Sequence, residues 1–278
     1  MFGGSEPTRP NHQGGNQVSN TSVTRNLAVG SEGFRVGRVL SKSLAVLTGN
    51  FSKYILFGAV IALPNLFAVF VSANQVSTSQ PMRPGQVFSS AAIFGGVAYG
   101  IIWLVVFSIC QSALIYGAFQ DVRGRPFDIG ASVQRGLSRF LPVIGAAICA
   151  GILVAIGFIL FVVPGLILLT MFFVIVPVCV VEGMGPIKSL GRSSALTKGY
   201  RWRIFAIYLV PGLIIAIAAA VLERIGLGIA GLVGNALVAY VVTAIGGAYQ
   251  AIVNIVTYHD LRAVKEGLDI EQLAAVFD

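Results

Sequence analysis

Residues 143–181 decide the fold, since the stretch VIGAAICAGILVAIGFILFVVPGLILLTMFFVIVPVCVV holds no charged side chain. As one α-helix it would be about 58 Å long, roughly twice the ~30 Å hydrocarbon layer of a bilayer. The chain must therefore turn within it. We expect the turn at Pro164-Gly165, because proline lacks a backbone donor and glycine accepts turn conformations. This predicts a third membrane span at 143–163 and a fourth at 166–181.

The composition places the rest of the chain in the same class. Of 278 residues, 56% are hydrophobic and 11% charged, where soluble domains carry about 25% charged residues. We predict an all-α polytopic bundle, with a disordered cytosolic tail at 1–30, a membrane domain at 31–260 and a short cytosolic helix at 261–278. The six predicted spans are 54–73, 91–119, 143–163, 166–181, 204–222 and 232–258.

Lysine and arginine collect on one side of these spans. Of the 19 such residues, only Arg83 and Arg224 fall in connections on the other side. The positive-inside rule therefore predicts a multi-pass protein of the cell (cytoplasmic) membrane with both termini cytosolic. Because the basic residues flank apolar runs, the net charge of +8 indicates anionic membrane lipids as partners rather than nucleic acid. A membrane-protein partner is also compatible with this pattern, and no cofactor is expected.

A basic stretch precedes each odd-numbered span, and the three stretches share the pattern aliphatic, any, basic, small. The pattern reads LSKS at 40–43, VQRG at 133–136 and LGRS at 190–193. We call the stretches the first elbow (36–51), the second elbow (129–140) and the third elbow (187–199). Each is predicted as an amphipathic helix on the cytosolic surface, followed by a transmembrane hairpin, so that the domain consists of three repeats.

Helical spacing assigns an apolar face to two elbows, with Asp128 placed to cap the second. The predicted faces are Val36, Leu40, Leu44, Leu47 and Phe51 in the first elbow, and Ile129, Val133, Leu137 and Phe140 in the second. In the third elbow Leu196 falls off the apolar face, so the amphipathic pattern is weaker there. The alternative to a repeat is that basic turns and acidic helix ends are common features of cytosolic loops.

The even-numbered spans also resemble one another. Gln111 precedes Asp121 by ten residues, Gln250 precedes Asp260 by ten, and Glu182 ends the fourth span at the comparable place. The predicted intramembrane polar side chains are Asn65, Gln111, Asn235, Gln250 and Asn254. Interhelical hydrogen bonding is the ordinary role for such residues, and lining a substrate path is the alternative.

The candidate lipid-headgroup residues are the basic side chains of the elbows and their flanks. They are Arg35, Arg38, Lys42, Arg135, Arg139, Lys188, Arg192, Lys198, Arg201 and Arg203. No catalytic, cofactor or metal residue is predicted, because the sequence has no legible nucleophile spacing, metal motif or phosphate-binding loop. We therefore expect a non-enzymatic protein that serves membrane organisation or a membrane complex. A transporter or lipid-translocating protein is the second hypothesis, and an intramembrane lipid enzyme the third.

The order of several motifs resembles a known family. These are QDVRGRP at 120–126, the Pro164-Gly165 pair, Glu182 followed by GRSSALTKG at 191–199, and YHDLR at 258–262. Together they resemble the glycerophosphoryl diester phosphodiesterase membrane-domain family, bacterial six-span membrane proteins mostly of unknown function. The resemblance covers about residues 34–272 and implies a bacterial inner membrane. The sequence lacks the His-Arg-Gly opening and paired acids of the phosphodiesterase domain that some members carry, so the resemblance implies no diesterase activity.

Overall fold

The computed structural model describes residues 34–77 and 90–277, and the side chains of 34–67 and 94–267. These residues form helices and connections, without a β-strand among them. The predicted disordered tail lies outside the described residues, as does Arg83. The helices are α1 Val36–Gly49, α2 Phe51–Ser77, α3 Ser90–Val122, α4 Ile129–Leu160, α5 Val162–Met171, α6 Ile175–Pro177, α7 Pro186–Thr197 and α8 Arg201–Phe277. A π-helical segment, Val178–Glu182, follows α6.

Several of these helices are long and apolar enough to cross a membrane. Within the described part of the chain there are four: Phe94–Val122, Ile129–Leu160, Val162–Glu182 and Arg201–Gly267. The bent pair of helices Val36–Gly49 and Phe51–Phe67 meets the same criterion, and it counts as a fifth span if the two helices are treated as one. An all-helical protein compatible with a membrane bundle is therefore what the sequence folds into.

The turn inside the apolar stretch lies three residues before the predicted one. Phe161 is extended, with φ −164° and ψ 158°, and separates α4 from α5. Pro164 instead lies in the first turn of α5, where a missing backbone donor costs no helical hydrogen bond. Close packing beside the turn depends on glycine, because a Cβ on Gly157 would lie 3.0 Å from the Cα of Gly165. The predicted turn at Pro164-Gly165 was thus misplaced, although the hairpin is present.

The predicted fourth span is not one continuous helix. After α5 ends at Met171, the chain leaves helical geometry before α6 and then forms the π-helical segment, which ends at Gly183 with φ +70°. Such π-helical turns are often found at functional sites in helices. Here the irregular backbone brings Glu182 and two carbonyl groups to the elbows, as described below.

The elbows differ in how they join the following helix. The first bends by 96° at Asn50, and the third ends at Lys198 before Gly199 takes φ +91°. The second elbow does not form a separate helix, because it continues into α4 and Pro142 lies within that helix. No residue between 129 and 160 leaves helical geometry in the way that Asn50 and Gly199 do. The prediction of a separate second elbow helix is therefore wrong.

The last helix contains one break in its backbone. Ala230 and Gly231 are non-helical, and Gly231 has φ +59° and ψ −141°. Gly226 and Gly234 lie on opposite sides of the break, and a Cβ on Gly226 would lie 2.7 Å from the carbonyl oxygen of Gly234. The two halves of α8 therefore approach closely just beyond the break. The residues predicted as a short C-terminal helix, 261–278, are helical as far as Phe277.

The chain divides into two compact units. One comprises Arg35–Leu261 and contains the elbows and the apolar helices up to that point. The described residues of the other are Phe34 and Arg262–Phe277. In this second unit Arg262 donates a hydrogen bond to Glu266 one helical turn later.

Candidate functional site

The small residue that follows the basic residue in each elbow is buried. Ser43, Gly136 and Ser193 hold this position in the first, second and third elbows. A Cβ on Gly136 would lie 2.6 Å from the carbonyl oxygen of Ile109 on α3, and the Ser193 hydroxyl donates to the carbonyl of Met171 at 2.8 Å. Small side chains at these points let helix backbones approach closely. The shared pattern of the three elbows therefore marks a packing position.

The apolar faces predicted for the elbows are largely on the outside. Leu44 is 55% exposed and Leu137 is 53% exposed, while Leu47 alone of the first predicted face is buried. The inward stripe of the first elbow is Val39, Ser43 and Leu47. The inward stripe therefore differs from the predicted apolar face. The physical reason is that a bilayer accepts apolar side chains on the outer surface of a bundle, so hydropathy does not mark the inner face.

Asp121 binds the junction of the first elbow with α2. The Tyr54 hydroxyl donates to Asp121 Oδ2 at 2.9 Å, and Asn50 Nδ2 donates to the same oxygen at 3.0 Å. Beside them Lys53 Nζ donates to the carbonyl of Phe127 at 2.8 Å. The carboxylate at the end of α3 thus fixes the residue at which the first elbow bends.

Glu182 binds the third elbow. Arg192 Nε donates to its two carboxylate oxygens at 3.0 and 3.2 Å, and the Tyr258 hydroxyl donates to Oε1 at 2.8 Å. The Glu182 side chain is 10% exposed. Charge-assisted hydrogen bonds are stronger than neutral ones, and a carboxylate this deeply buried requires such partners.

Asp260 binds the first elbow in a similar way. Lys42 Nζ lies 3.4 Å from Asp260 Oδ1, whose side chain is almost fully buried. His259 Nδ1 lies 3.6 Å from the same oxygen. Asp121, Glu182 and Asp260 thus each bind an elbow residue, and we call these three the carboxylate set.

The two arginines of the second elbow bind backbone carbonyls instead of a carboxylate. Arg135 Nε donates to Val180 O at 3.0 Å, and Arg139 Nη1 donates to Gly183 O at 2.9 Å. The Arg135 guanidinium also lies 5.7 Å from the ring centroid of Tyr116. The irregular backbone after α6 supplies these acceptors, since its carbonyls are not all used within a helix.

Four candidate headgroup residues thus donate hydrogen bonds to carboxylates or backbone carbonyls: Lys42, Arg135, Arg139 and Arg192. The burial of the other six differs, and among them the Arg203 guanidinium lies 5.9 Å from the ring centroid of Tyr200. Arg35, Lys188, Lys198 and Arg203 are exposed, and Arg38 and Arg201 are half-buried. Beside the third-elbow residues, Ile187 is 71% exposed and Trp202 is 82% exposed. The third elbow therefore presents basic and apolar side chains together on its surface.

The predicted intramembrane polar residues lie on three helices and are all half-buried. Asn65 is on α2, Gln111 on α3, and Asn235, Gln250 and Asn254 on α8. Gln111 Oε1 and Asn254 Oδ1 are buried without a hydrogen-bond donor among the described side chains. An unpaired buried carbonyl of this kind costs about 1–3 kcal/mol.

An apolar pocket of about 460 Å³ lies where α5 faces the end of the third elbow and the start of α8. Its lining residues are Val163, Leu166, Ile167, Thr170, Lys198, Gly199, Arg201, Trp202 and Phe205. Of the predicted candidates, Lys198 and Arg201 are therefore brought together at one cavity. This pocket could not be predicted from the sequence, because its two walls, 163–170 and 198–205, lie far apart in the chain.

Two tyrosines that donate hydrogen bonds to the carboxylate set were not among the residues predicted from the sequence. Tyr54 and Tyr258 are fully buried, and each donates to a carboxylate. A signal was present, because a buried tyrosine needs an acceptor for its hydroxyl and both residues lie at predicted span ends. A third tyrosine, Tyr249 of α8, also contacts the first elbow, since its hydroxyl donates to the carbonyl of Leu40.

The described residues offer little for covalent or metal chemistry. They contain no group of three or more His, Cys, Asp or Glu side chains that could hold a metal ion. The thiol of Cys179 is buried and donates to the Ser189 hydroxyl at 3.0 Å. The ion pairs and hydrogen bonds of the carboxylate set hold helices together, and the pocket can accept an apolar group.

Comparisons with known proteins return no match: no family model, no curated protein and no solved structure is similar to the chain.

Proposed function

We propose that this chain is a non-enzymatic integral membrane protein of six spans, whose third elbow contacts the anionic cytosolic leaflet. The observation that carries the proposal is the exposure of three basic residues, Lys188, Lys198 and Arg203, together with the exposure of Ile187 and Trp202, which adjoin two of them in the sequence. Tryptophan and basic residues gather at membrane interfaces, where one part of the side chain meets hydrocarbon and another meets headgroups. We name these five residues the interfacial patch. The protein serves membrane organisation or a membrane complex.

Six spans follow if the break in α8 is a hairpin turn. The non-helical pair Ala230-Gly231 divides Arg201–Phe277, and the close approach of Gly226 to Gly234 supports two antiparallel halves. Together with α2, α3, α4 and the segment Val162–Glu182, the halves make six. An even number of spans places both termini on the same side of the membrane. Because basic residues gather on that side, we assign it to the cytosol, at a bacterial inner membrane.

A threefold repeat is supported by two recurring features. Each elbow buries the small residue after its basic residue, and each member of the carboxylate set binds an elbow residue. Asp121 and Asp260 bind the first elbow and Glu182 binds the third, so the second elbow is the exception both in its lack of a carboxylate partner and in its continuity with α4. We attribute the resemblance to the glycerophosphoryl diester phosphodiesterase membrane-domain family to this architecture, and membership in that family is part of the proposal.

The lipid-contact residues are fewer than the basic residues of the elbows. Lys42 and Arg192 face buried carboxylates, and the second-elbow arginines face carbonyls, so these side chains stabilise the bundle first. The cations of the interfacial patch are exposed, and we assign them to the headgroups. With about 1 kcal/mol per basic residue near an anionic surface, its three cations contribute a few kcal/mol.

The experiment compares the lipids that accompany the protein in native nanodiscs with those of the source membrane. We expect enrichment of anionic lipid around the wild type, reduced in the triple variant Lys188→Gln, Lys198→Gln, Arg203→Gln. The matched control is Arg123→Gln with Arg125→Gln, which removes exposed cations outside the patch. A wild-type lipid composition equal to that of the source membrane would refute the proposal.

A transport function is the second proposal. Its support is the pair of buried amide oxygens on Gln111 and Asn254, which lack a donor among the described residues. Unsatisfied acceptors within a bundle are suited to binding a polar substrate or water. Flux of a solute or lipid across proteoliposomes that falls in the Gln111→Leu variant would support this function, and no flux above empty liposomes would exclude it.

A further inference from the structure

The pocket beside the third elbow combines an apolar interior with a cationic mouth. Leu166, Ile167 and Phe205 belong to its apolar wall, and its volume of about 460 Å³ lies in the range of small-ligand pockets. Thr170 is the uncharged polar side chain in the lining, and its hydroxyl already donates to the carbonyl of Ile167 at 2.9 Å. The wall therefore offers a polar ligand little to bind and accommodates a hydrocarbon chain.

The mouth of the pocket carries two positive charges and no negative one. Lys198 and Arg201 line it, and none of the lining residues is acidic. Arg201 Nε is buried and has no acceptor within the described part of the chain. A buried guanidinium donor without an acceptor is costly, and a phosphate oxygen is an acceptor that suits it.

The backbone at the mouth has a conformation that glycine provides. Gly199 takes φ +91° between Lys198 at the end of the third elbow and the start of α8. This sharp turn places the two basic residues on the same cavity although they belong to different helices. Trp202 lines the pocket too and is 82% exposed, which is typical of a side chain at the level of lipid headgroups.

We propose that this pocket binds one anionic glycerophospholipid, with an acyl chain along α5 and the phosphate at Lys198 and Arg201. The inference rests on the proposed membrane location and adds a specific site to the general contact of the interfacial patch. Charge complementarity selects an anionic lipid over a zwitterionic one, because the residues that line the pocket include two cations and no carboxylate. The apolar wall selects a lipid over free phosphate.

The experiment uses the fluorescence of Trp202 in the full-length protein. The chain has two tryptophans, so Trp103→Phe leaves Trp202 as the reporter. The protein is reconstituted in bilayers with increasing mole fractions of a phospholipid brominated on its acyl chains, either anionic or zwitterionic. We expect the anionic lipid to quench at low mole fraction with saturation, and the zwitterionic lipid to quench in proportion to its mole fraction.

Substitutions at the mouth should shift this saturation. Lys198→Gln or Arg201→Gln should each raise the half-quenching mole fraction of the anionic lipid about fivefold, equivalent to about 1 kcal/mol per charge. Ile167→Phe, which narrows the pocket at a partly exposed position, should remove the saturating component and leave both charges. Lys188→Gln, which removes a cation of the interfacial patch outside the pocket, should shift the half-quenching mole fraction less than Lys198→Gln does. The control is Arg125→Gln, which removes an exposed cation outside both the patch and the pocket and should leave the half-quenching mole fraction unchanged.

Two results would overturn the proposed site. One is equal, non-saturating quenching by both lipids in the wild type. The other is an equal shift in Lys188→Gln and Lys198→Gln with no effect of Ile167→Phe, which would show diffuse attraction by the interfacial patch without a pocket. The second result leaves the proposed function standing, so the two failures are distinguishable. Inorganic phosphate added at the same charge concentration should not relieve the quenching, and relief would assign the mouth to free phosphate.

Discussion

Replacing Glu182 by glutamine should destabilise the protein through the loss of one buried negative charge. The carboxylate accepts hydrogen bonds from Arg192 Nε and from the Tyr258 hydroxyl, and its side chain is 10% exposed. Glutamine has nearly the same shape, and its amide keeps one of the two acceptor oxygens. The second acceptor and the charge are lost, so a guanidinium is left facing a neutral amide.

The expected loss in free energy of unfolding follows from the burial of Glu182 and Arg192. Hydrogen bonds to charged groups contribute about 1.5–3 kcal/mol, against an average of about 0.6 kcal/mol for neutral interhelical hydrogen bonds in membrane proteins. Arg192 is 29% exposed, which screens part of the attraction and favours the lower end of that range. We therefore expect Glu182→Gln to lower the free energy of unfolding by about 2 kcal/mol.

A double-mutant cycle separates this contact from other effects of the substitution. Glu182→Gln, Arg192→Gln and the combined variant are unfolded reversibly in detergent micelles, followed by circular dichroism. We expect the double variant to lose about 1 kcal/mol less than the sum of the single variants, because each substitution removes the same ion pair. Glu223→Gln is the control, since it removes a carboxylate of α8 outside the carboxylate set.

The reasoning would be refuted by one pattern of results. Glu182→Gln within about 0.5 kcal/mol of the wild type, together with strictly additive single variants, would mean that water rather than Arg192 satisfies the carboxylate. A loss as large in Glu223→Gln would show instead that negative charge in general stabilises the detergent-solubilised protein. Tyr258→Phe gives an independent measure, with an expected loss of about 1.5 kcal/mol for one charge-assisted hydrogen bond.

Three further predictions concern packing, capping and topology. Gly136→Ala should lower the free energy of unfolding by about 2 kcal/mol, since its Cβ would lie 2.6 Å from a carbonyl oxygen of α3. The control Gly151→Ala has open space around the added methyl group and should not destabilise the protein. Equal melting temperatures of the two variants would contradict the close approach at Gly136. Asp128→Ala should lower the free energy of unfolding by about 1 kcal/mol, because it removes the hydrogen bonds to two backbone N–H groups at the start of α4. Asp128→Asn can still cap the helix and should keep most of the wild-type stability in the same thermal assay. Reporter fusions at Arg83 and Lys188 should report opposite sides of the membrane, and the same side for both would exclude six spans.

The sequence was sufficient for features that depend on local chemistry. The apolar stretch at 143–181 required a turn, and the hairpin is present. The cap by Asp128 is confirmed, because its Oδ1 accepts from the backbone of Gly130 and Ala131. The position of the turn was missed by three residues, since proline is as well accommodated in the first turn of α5 as in the turn before it.

The candidate site was predictable only in part, because its geometry is set by contacts between distant segments. Residue spacing drew attention to Asp121, Glu182 and Asp260, but not to the tyrosines that bind two of them. Spacing also grouped Lys42 and Arg192 with the lipid-contact residues, although both face carboxylates inside the bundle. A basic residue before a predicted span has the same sequence pattern whether its partner is a phosphate or an aspartate.

The elbows show which sequence property marks the inner face of a bundle whose surroundings are also apolar. In water, hydropathy would turn Leu44 and Leu137 inward, but in a bilayer either orientation removes them from water. Side-chain size then becomes decisive, because only small residues allow the backbones to approach within hydrogen-bonding and van der Waals distance. Ser43, Gly136 and Ser193 meet that requirement, each directly after a basic residue. The pairing of a basic with a small residue therefore predicts the inner face of such elbows better than their apolar periodicity does.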